Sequence, residues 1–440
     1  MTNTALSLDF RKSFCSEILA QTEEPTWSQS LRQKAWDSYQ NLPEPLPPQR
    51  NLRRIPLLDE SNLKAPGSSP AGAGLDERQA SWGNLASTAQ MLNATALEVS
   101  LSERLKAQGV VLCSLQEALL AYPEKVQTAL DQVLPATENR EAALNLSYWR
   151  NGFFLWVPRG VEIQEPLYLL SSLNQAQQAL FSRSLILLDE GAQATVICDY
   201  HAESQGQPSF SSDLIEMVLG SAAHLKLIHL QNWGQEVHAH SYTQAKLERD
   251  AHLTQMNLSL GAAFHYAQTQ SLLQAKGAES LFLGLNMGQA QQHFRQHTLQ
   301  DHRSPHTRSE LIYHSVLKDE AYSFFNGMIY VSPEAQQSES GQVSKSLLLS
   351  DKSRADAIPN LEILADDVQS GHGAAIGSLD PEQRFYLMSR GFDQHTAESL
   401  LVEGFMEEVI LRFPHEDLQQ RIAAHLSLHL LAEGEDRSEA

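Results

Sequence analysis

Histidine is the residue type in this chain best placed to do chemistry. Of 17 histidines, 13 fall between His201 and His372, and a neutral imidazole can ligate a metal or carry a proton. His238 and His240 would share a face on a strand, and His293 and His297 would share one on a helix. Neither pair has an acidic or thiolate partner at fixed spacing, so both read as solvent-exposed histidines on an acidic chain rather than as metal ligands. His372 stands in Ser370-Gly371-His372-Gly373, and on its residues alone it reads as a turn histidine in a backbone free to bend. Cys15, Cys113 and Cys198 lie far apart and form no C-x-x-C pair. Cys113 and Cys198 read as small buried apolar residues, and three scattered thiols cannot build an all-cysteine metal centre. Asp366 and Asp367 could act as acid and base on a sugar bond, as in exported β-helical polysaccharide lyases and hydrolases. Neighbouring strand residues face opposite sides of a sheet, so this pair could flank one bond only in a turn. No G-x-x-x-x-G-K-[ST] string is present to cradle ATP.

The elements that must position these residues fall into three stretches. Thr26 is a candidate helix cap, with Trp27, Leu31, Ala35 and Tyr39 at helical spacing before Pro43. Residues 43–80 are rich in Pro, Gly and Ser and read as a linker. Ser114 with Glu117 then marks a capping box ahead of a helical piece. From about Asn145 to Gly377 short alternating or β-branched runs are broken by turn residues, which predicts strands. Within them Ala192, Ala223, Ala251 and Ala278 recur at spacings of 31, 28 and 27, a period that signals stacked repeats. A β-sandwich with similar turns remains the alternative to a solenoid. After Gly391, Asp393 can cap a helix with Ala397, Leu400, Leu401, Gly404, Phe405 and Val409 on one face, and Pro414 separates it from another around Leu418–Leu431. Such an acidic helix pair could dock another protein or pack on its own chain.

The chain has 440 residues and a formal charge of −21, from 53 acidic and 32 basic side chains. That charge opposes the counterion release that drives binding to nucleic acid or anionic membranes. No run of apolar residues is long enough to span a bilayer, and the opening MTNTALSLDFRKSF lacks signal-peptide features. The expectation is a cytoplasmic protein with no nucleic-acid or membrane partner.

Specific strings narrow this further. NLSYWRNGFFLWVPRGVEIQEPLYLL (145–170), AYSFFNGMIYV (321–331) and SKSLLLSDKSRADAIPNLEILADDVQSGHGAAIGSLDPEQRFYLMSRGF (344–392) resemble, in order and spacing, the blocks of the SufB/SufD family. GVVLCSLQEALLAYPEKV is similar to that family's N-terminal helical region, so the resemblance covers roughly residues 105–412. The LEI-ADDV block and Gly-flanked histidine resemble the SufD branch. The chain departs from the family at Gln369-Ser370-Gly371, where a Lys-Cys-Ser is frequent, and at PPQRNLRRIPL.

The resemblance implies a mainly β protein: a right-handed parallel β-helix core over 141–380, flanked by an N-terminal helical region (1–140) and a C-terminal helical domain (381–440). It implies a non-catalytic subunit of a SufBCD-type iron–sulfur cluster assembly scaffold. The subunit would pair with a SufB-like subunit through the β-helix, or with itself in that subunit's absence, and with the SufC-like ABC ATPase through the C-terminal helices. Leu400, Leu401, Phe405 and Val409 are the candidate ATPase-docking residues, on a helix whose core is expected to be separate from that of the solenoid. His372 is the candidate cluster-site residue and metal ligand. No cofactor is expected to be bound tightly by the isolated chain, the nascent cluster belonging to the complex. A purely structural subunit differs from this reading only in whether His372 touches iron or sulfur. A solenoid must also end in an uncovered edge, and that edge is expected to meet a partner.

Overall fold

The computed structural model describes residues 24–43, 75–94, 96–202, 206 and 208–431. Cys15, PPQRNLRRIPL and all but the ends of the 43–80 linker lie outside them. The chain opens with α1 (Thr26–Asn41), α2 (Leu75–Ala80), β1 (Ser87–Leu92), β2 (Ala96–Leu101), α3 (Glu103–Ala107), β3 (Val111–Ser114), α4 (Leu115–Ala121), α5 (Pro123–Gln127) and α6 (Arg140–Tyr148). Ser114 caps α4 by accepting from the Glu117 N–H, as the sequence pattern requires. The cap of α1 is Pro25, not Thr26, and its buried face is Ser28, Arg32, Ala35, Trp36 and Tyr39. Arg32 explains the rotation, because it turns inward to a buried ion pair with Glu24 and lies over the Trp149 ring.

Sixteen strands follow among the described residues, in two series that alternate along the chain. One series is β4 (Phe153–Val157), β6 (Ala179–Leu188), β8 (Ser209–Leu219), β10 (Val237–Leu247), β12 (Phe264–Leu273), β14 (His293–His302), β16 (Tyr322–Val331) and β18 (Arg354–Ile363). The other is β5 (Leu167–Leu173), β7 (Gln193–Ala202), β9 (His224–Asn232), β11 (His252–Ser259), β13 (Glu279–Gly288), β15 (Arg308–Leu317), β17 (Ser338–Leu348) and β19 (Val368–Ser378). Each pairs in parallel with its own kind, giving a nine-stranded and a ten-stranded sheet that face each other. This is a parallel β-solenoid of about eight turns flanked by helices. Asn145 belongs to α6 and not to a strand. Its buried Nδ2 donates to the Ser182 and Ser212 carbonyls at 3.0 and 3.1 Å, tying the helix to two successive coils.

The alanine repeat has a structural cause. Ala192, Ala223, Ala251 and Ala278 are fully buried and stand at the same corner of successive coils. Each follows a residue in the left-handed region, Gly191, Ala222, Asp250 and Gly277 at φ 67, 54, 56 and 75°. The carbonyls of Ala192, Ala223 and Ala251 then accept from the next coil's first strand N–H at 2.9 Å. A small residue is needed because the corner turns sharply into the core.

The two ends of the solenoid differ. At the start β2 and β3 add antiparallel to β1 and β4 and close both sheets, and α4, α5 and α6 pack there in an apolar cluster with Tyr148, Trp149 and Phe181. At the other end β18 and β19 are the last strands of their sheets, with no further strand beside them among the described residues.

The tail comprises α7 (Pro381–Ser389), α8 (Gln394–Ile410) and α9 (Glu416–Leu431). Asp393 caps α8 by accepting from the Thr396 N–H. Val402, Met406, Val409, Ile410, Phe413, Leu418, Ile422 and Leu426 form one core with Tyr168, Ile197, Ile228, Met256 and Leu283 on the outward face of the ten-stranded sheet. The expectation of separate cores is therefore corrected: the helices cover the solenoid wall. At ~1.5–3 kcal/mol for each of these helix side chains the gross stabilisation is at most roughly 12–24 kcal/mol.

Candidate functional site

The open end carries His372. It lies on β19, in register with Gln342 of β17. Side chains in register on parallel strands share a face, so His372 terminates a column of Leu167, Val196, Leu227, Gln255, Phe282, Leu311 and Gln342. That column faces inward: Leu167, Val196, Leu227, Phe282 and Leu311 belong to the interior core. His372 is exposed because, among the described residues, no coil stacks above it. Ile376, two positions further on in the same alternation, is 45% exposed for the same reason, and Ile358, Ile363 and Leu364 are exposed beside it. An inward column that ends in solvent, beside a strand edge with free N–H and C=O groups, is a template for pairing.

The coils beneath are locked by the residues of the FNG and PNLEI strings. Asn360 Nδ2 donates to Asn326 Oδ1 at 2.9 Å and to the Gly327 carbonyl at 3.3 Å. Gln342 crosses the interior from the opposite sheet and donates through Nε2 to the Asn360 carbonyl at 2.9 Å. Ser340 and Ser370 share a hydroxyl hydrogen bond of 2.7 Å between β17 and the edge strand. Along the outer corner, a groove of about 730 Å³ runs from His252 and Glu279 past Arg308 and Glu339 to Gln369, Ser370 and Gly371.

The other sequence candidates are placed elsewhere. His238 and His240 share the outward face of β10, as expected of strand neighbours, and are buried. Burial, reinforced by His240, pushes the His238 imidazole down to about 4. His293 and His297 lie on strand β14, not on a helix, where four residues span ~13 Å, too far for one metal. His297 instead sits between the rings of Tyr266 and Phe324 at 5.0 and 5.7 Å. Among the described residues no three His, Cys, Asp or Glu side chains converge as a metal site. Cys113 and Cys198 are buried free thiols. Burial raises Cys113 to about 12 and Cys198 further, so both stay protonated at neutral pH. Asp366 and Asp367 occupy the bend between β18 and β19, the turn their pairing would need, but both point into solvent and neither lines the groove.

The docking residues split. Val409 is fully buried in the core with the solenoid and cannot present itself to a partner. Phe405 is half-buried against His314. Leu400 is 40% exposed, and Leu401 lines a cavity of about 530 Å³ with Asp380, Glu382, Gln383, Tyr386 and Leu387. The helix is apolar on more than one face, and the face chosen inward, Val402 with Met406 and Ile410, is the one that meets the sheet. Sequence reading passed over α7, which buries none of its residues and exposes Phe385, Tyr386 and Met388. The RFYLM string was the available signal.

Sequence reading also missed a polar interior. Asp213, 1% exposed, accepts from Ser241 at 2.9 Å and lies 3.2 Å from His229 Nε2. His265 then bridges Ser241 and Ser259, both at 3.1 Å. No periodicity marks it, since Asp, Ser and His replace apolar residues at inward positions.

A parallel β-solenoid, capped where it begins and open where it ends, defines the class of this protein, and a histidine at the open end marks the surface at issue. The SUF system FeS cluster assembly SufBD core domain matches residues 171–405, and the SufBD protein N-terminal region matches 84–169. The chain belongs to the SufBD family of iron–sulfur cluster assembly proteins. It is 26% identical over 423 residues to the iron–sulfur cluster assembly protein SufB of Bacillus subtilis (strain 168), covering 92% of this chain and 90% of that protein. A SufBD family protein of Staphylococcus epidermidis (strain ATCC 12228 / FDA PCI 1200) is 24% identical over 420 residues, with 92% and 90% covered. Another, of Staphylococcus aureus (strain MRSA252), is 26% identical over 317 residues, with 72% and 68% covered. Among the described residues no helix is long and apolar enough to cross a membrane.

Proposed function

We propose that this chain is the SufD-type, non-catalytic subunit of a cytoplasmic cluster assembly scaffold. The supporting observation is the open end: a bare edge strand that carries His372 and exposed apolar side chains, on a solenoid whose other end is closed. A SufB-like subunit adds to this edge, and the nascent cluster, as cargo, forms where the two meet. His372 supplies an imidazole there, and the partner supplies thiolates, since the two cysteines among the described residues, Cys113 on β3 and Cys198 on β7, lie near the other end. The branch rests on the Gly-flanked histidine and the ADDV block, since SufB itself is among the relatives. The SufC-like ATPase docks on the C-terminal helices, through Leu400, Leu401 and the exposed part of Phe405.

Co-expression with SufB-like and SufC-like subunits and purification through a tag on this chain tests the reading. Both subunits should be retained in a stable complex. Retention of the SufC-like subunit alone would remove the solenoid pairing, and isolation of this chain alone would remove both assignments.

A further inference from the structure

The Gln342 amide is held at one end only. Its Nε2 donates to the Asn360 carbonyl at 2.9 Å, but Oε1 is buried without a hydrogen-bond partner in a residue 1% exposed. An orphaned buried acceptor costs roughly 1–3 kcal/mol, so it needs a reason. The next side chain in its column is the ring of His372, one strand above, at a strand spacing of ~4.8 Å. Space for the amide is provided by Gly327, where an added Cβ would fall on Oε1. The asparagines on either side, Asn326 and Asn360, fix the strands it reaches.

We propose that Gln342 is the positioning residue of His372: its Oε1 accepts the N–H of one ring nitrogen when that ring turns down into the column, and leaves the other nitrogen's lone pair turned to the open end. The idea rests on the reading of His372 given above and adds what sets its tautomer. Ligating imidazoles are commonly oriented through the hydrogen bond of their second nitrogen. It also gives a purpose to Gly327, since any larger residue would displace the amide.

The test uses the full chain labelled with ¹⁵N-histidine, the His372 ring resonances being those lost in His372→Ala. At pH 8 the wild-type ring should hold one tautomer. Gln342→Met, which keeps the volume but removes the acceptor, and Gly327→Ala, which displaces it, should both relax His372 toward the mixture of a free imidazole. Unchanged circular dichroism shows that either variant is folded, and if one fails to fold the other decides. In complex with the partner subunits, Gln342→Met should lower iron content several-fold while retaining both partners. Identical tautomer populations in wild type and the folded variants would overturn the proposal. If the tautomer responds but His372→Ala complexes load iron normally, the positioning stands and the cluster role of His372 falls.

Discussion

The ring of His314 on β15 stacks on that of Phe405 on α8, centroids 4.4 Å apart, while its Nδ1 donates to the Phe405 carbonyl at 2.9 Å. One side chain thus fixes the helix over the sheet by both an apolar and a polar contact. Lys345 of β17 adds an ion pair to Glu408 at 2.7 Å. The C-terminal helices are part of the solenoid wall.

Removal of residues after Gly391 should therefore expose the outward apolar columns and give an insoluble or ANS-binding protein. Met406→Ala should cost about 2–4 kcal/mol in urea denaturation. Leu400→Asp, at an exposed position, should leave stability within about 0.5 kcal/mol while abolishing SufC-like retention in a pull-down. Retention by a folded Leu400→Asp chain would move the ATPase surface elsewhere, with α7 the next place to look.

Arg183 and Glu216 form a fully buried ion pair at 2.6 Å, and Glu216 also accepts the N–H groups of Asp131, Val133 and Leu134. Arg183→Met leaves that carboxylate uncompensated and should cost about 3–5 kcal/mol, read as a lowered denaturation midpoint with an unchanged slope. A loss under about 1 kcal/mol would mean that the backbone donors alone hold the carboxylate.

Burial holds His238, His297 and His302 down to about 4, against an ordinary value near 6.5. Their folded forms stay neutral while the unfolded chain takes up protons below 6.5, so their contribution is fully present above 6.5 and is lost as pH falls towards 4. Each contributes a slope of roughly 1.4 kcal/mol per pH unit in that window. Urea denaturation between pH 7.5 and 5 should show steep acid destabilisation, which His302→Gln makes shallower. A flat profile would mean that these rings are hydrated.

The open edge gives a further expectation. Ile376→Lys and Leu364→Lys place charge on exposed positions at the solenoid's end, the device by which natural edges resist pairing. The isolated chain should keep its fold, while association with the SufB-like subunit, measured by light scattering after size exclusion, should be lost. Pairing undiminished in both variants would place the partner on another face.

Much of the architecture is legible in the amino-acid sequence. The alanine period of 27–31 residues reveals the coils because one corner of each admits only a small buried residue. The family strings lead to His372, and its place on the bare strand β19 follows from where the repeats stop. The polar interior is not legible, because Asp213, Ser241 and His265 satisfy one another across coils, at separations of 28 and 24 residues, and leave no local pattern. The buried face of α8 escapes sequence reading for a different reason. Leu400, Leu401 and Val402 are all apolar, so only the sheet beneath decides that Val402 turns inward.

The decisive measurement is iron and acid-labile sulfide in the anaerobically purified complex of this chain with co-expressed SufB-like and SufC-like subunits, wild type against His372→Ala. The variant complex should assemble and hydrolyse ATP as the parent does, while its cluster content falls by roughly 10-fold or more, and Cys113→Ser and Cys198→Ser should change little. Equal iron and sulfide in parent and His372→Ala complexes would show that the histidine at the open end takes no part in cluster assembly.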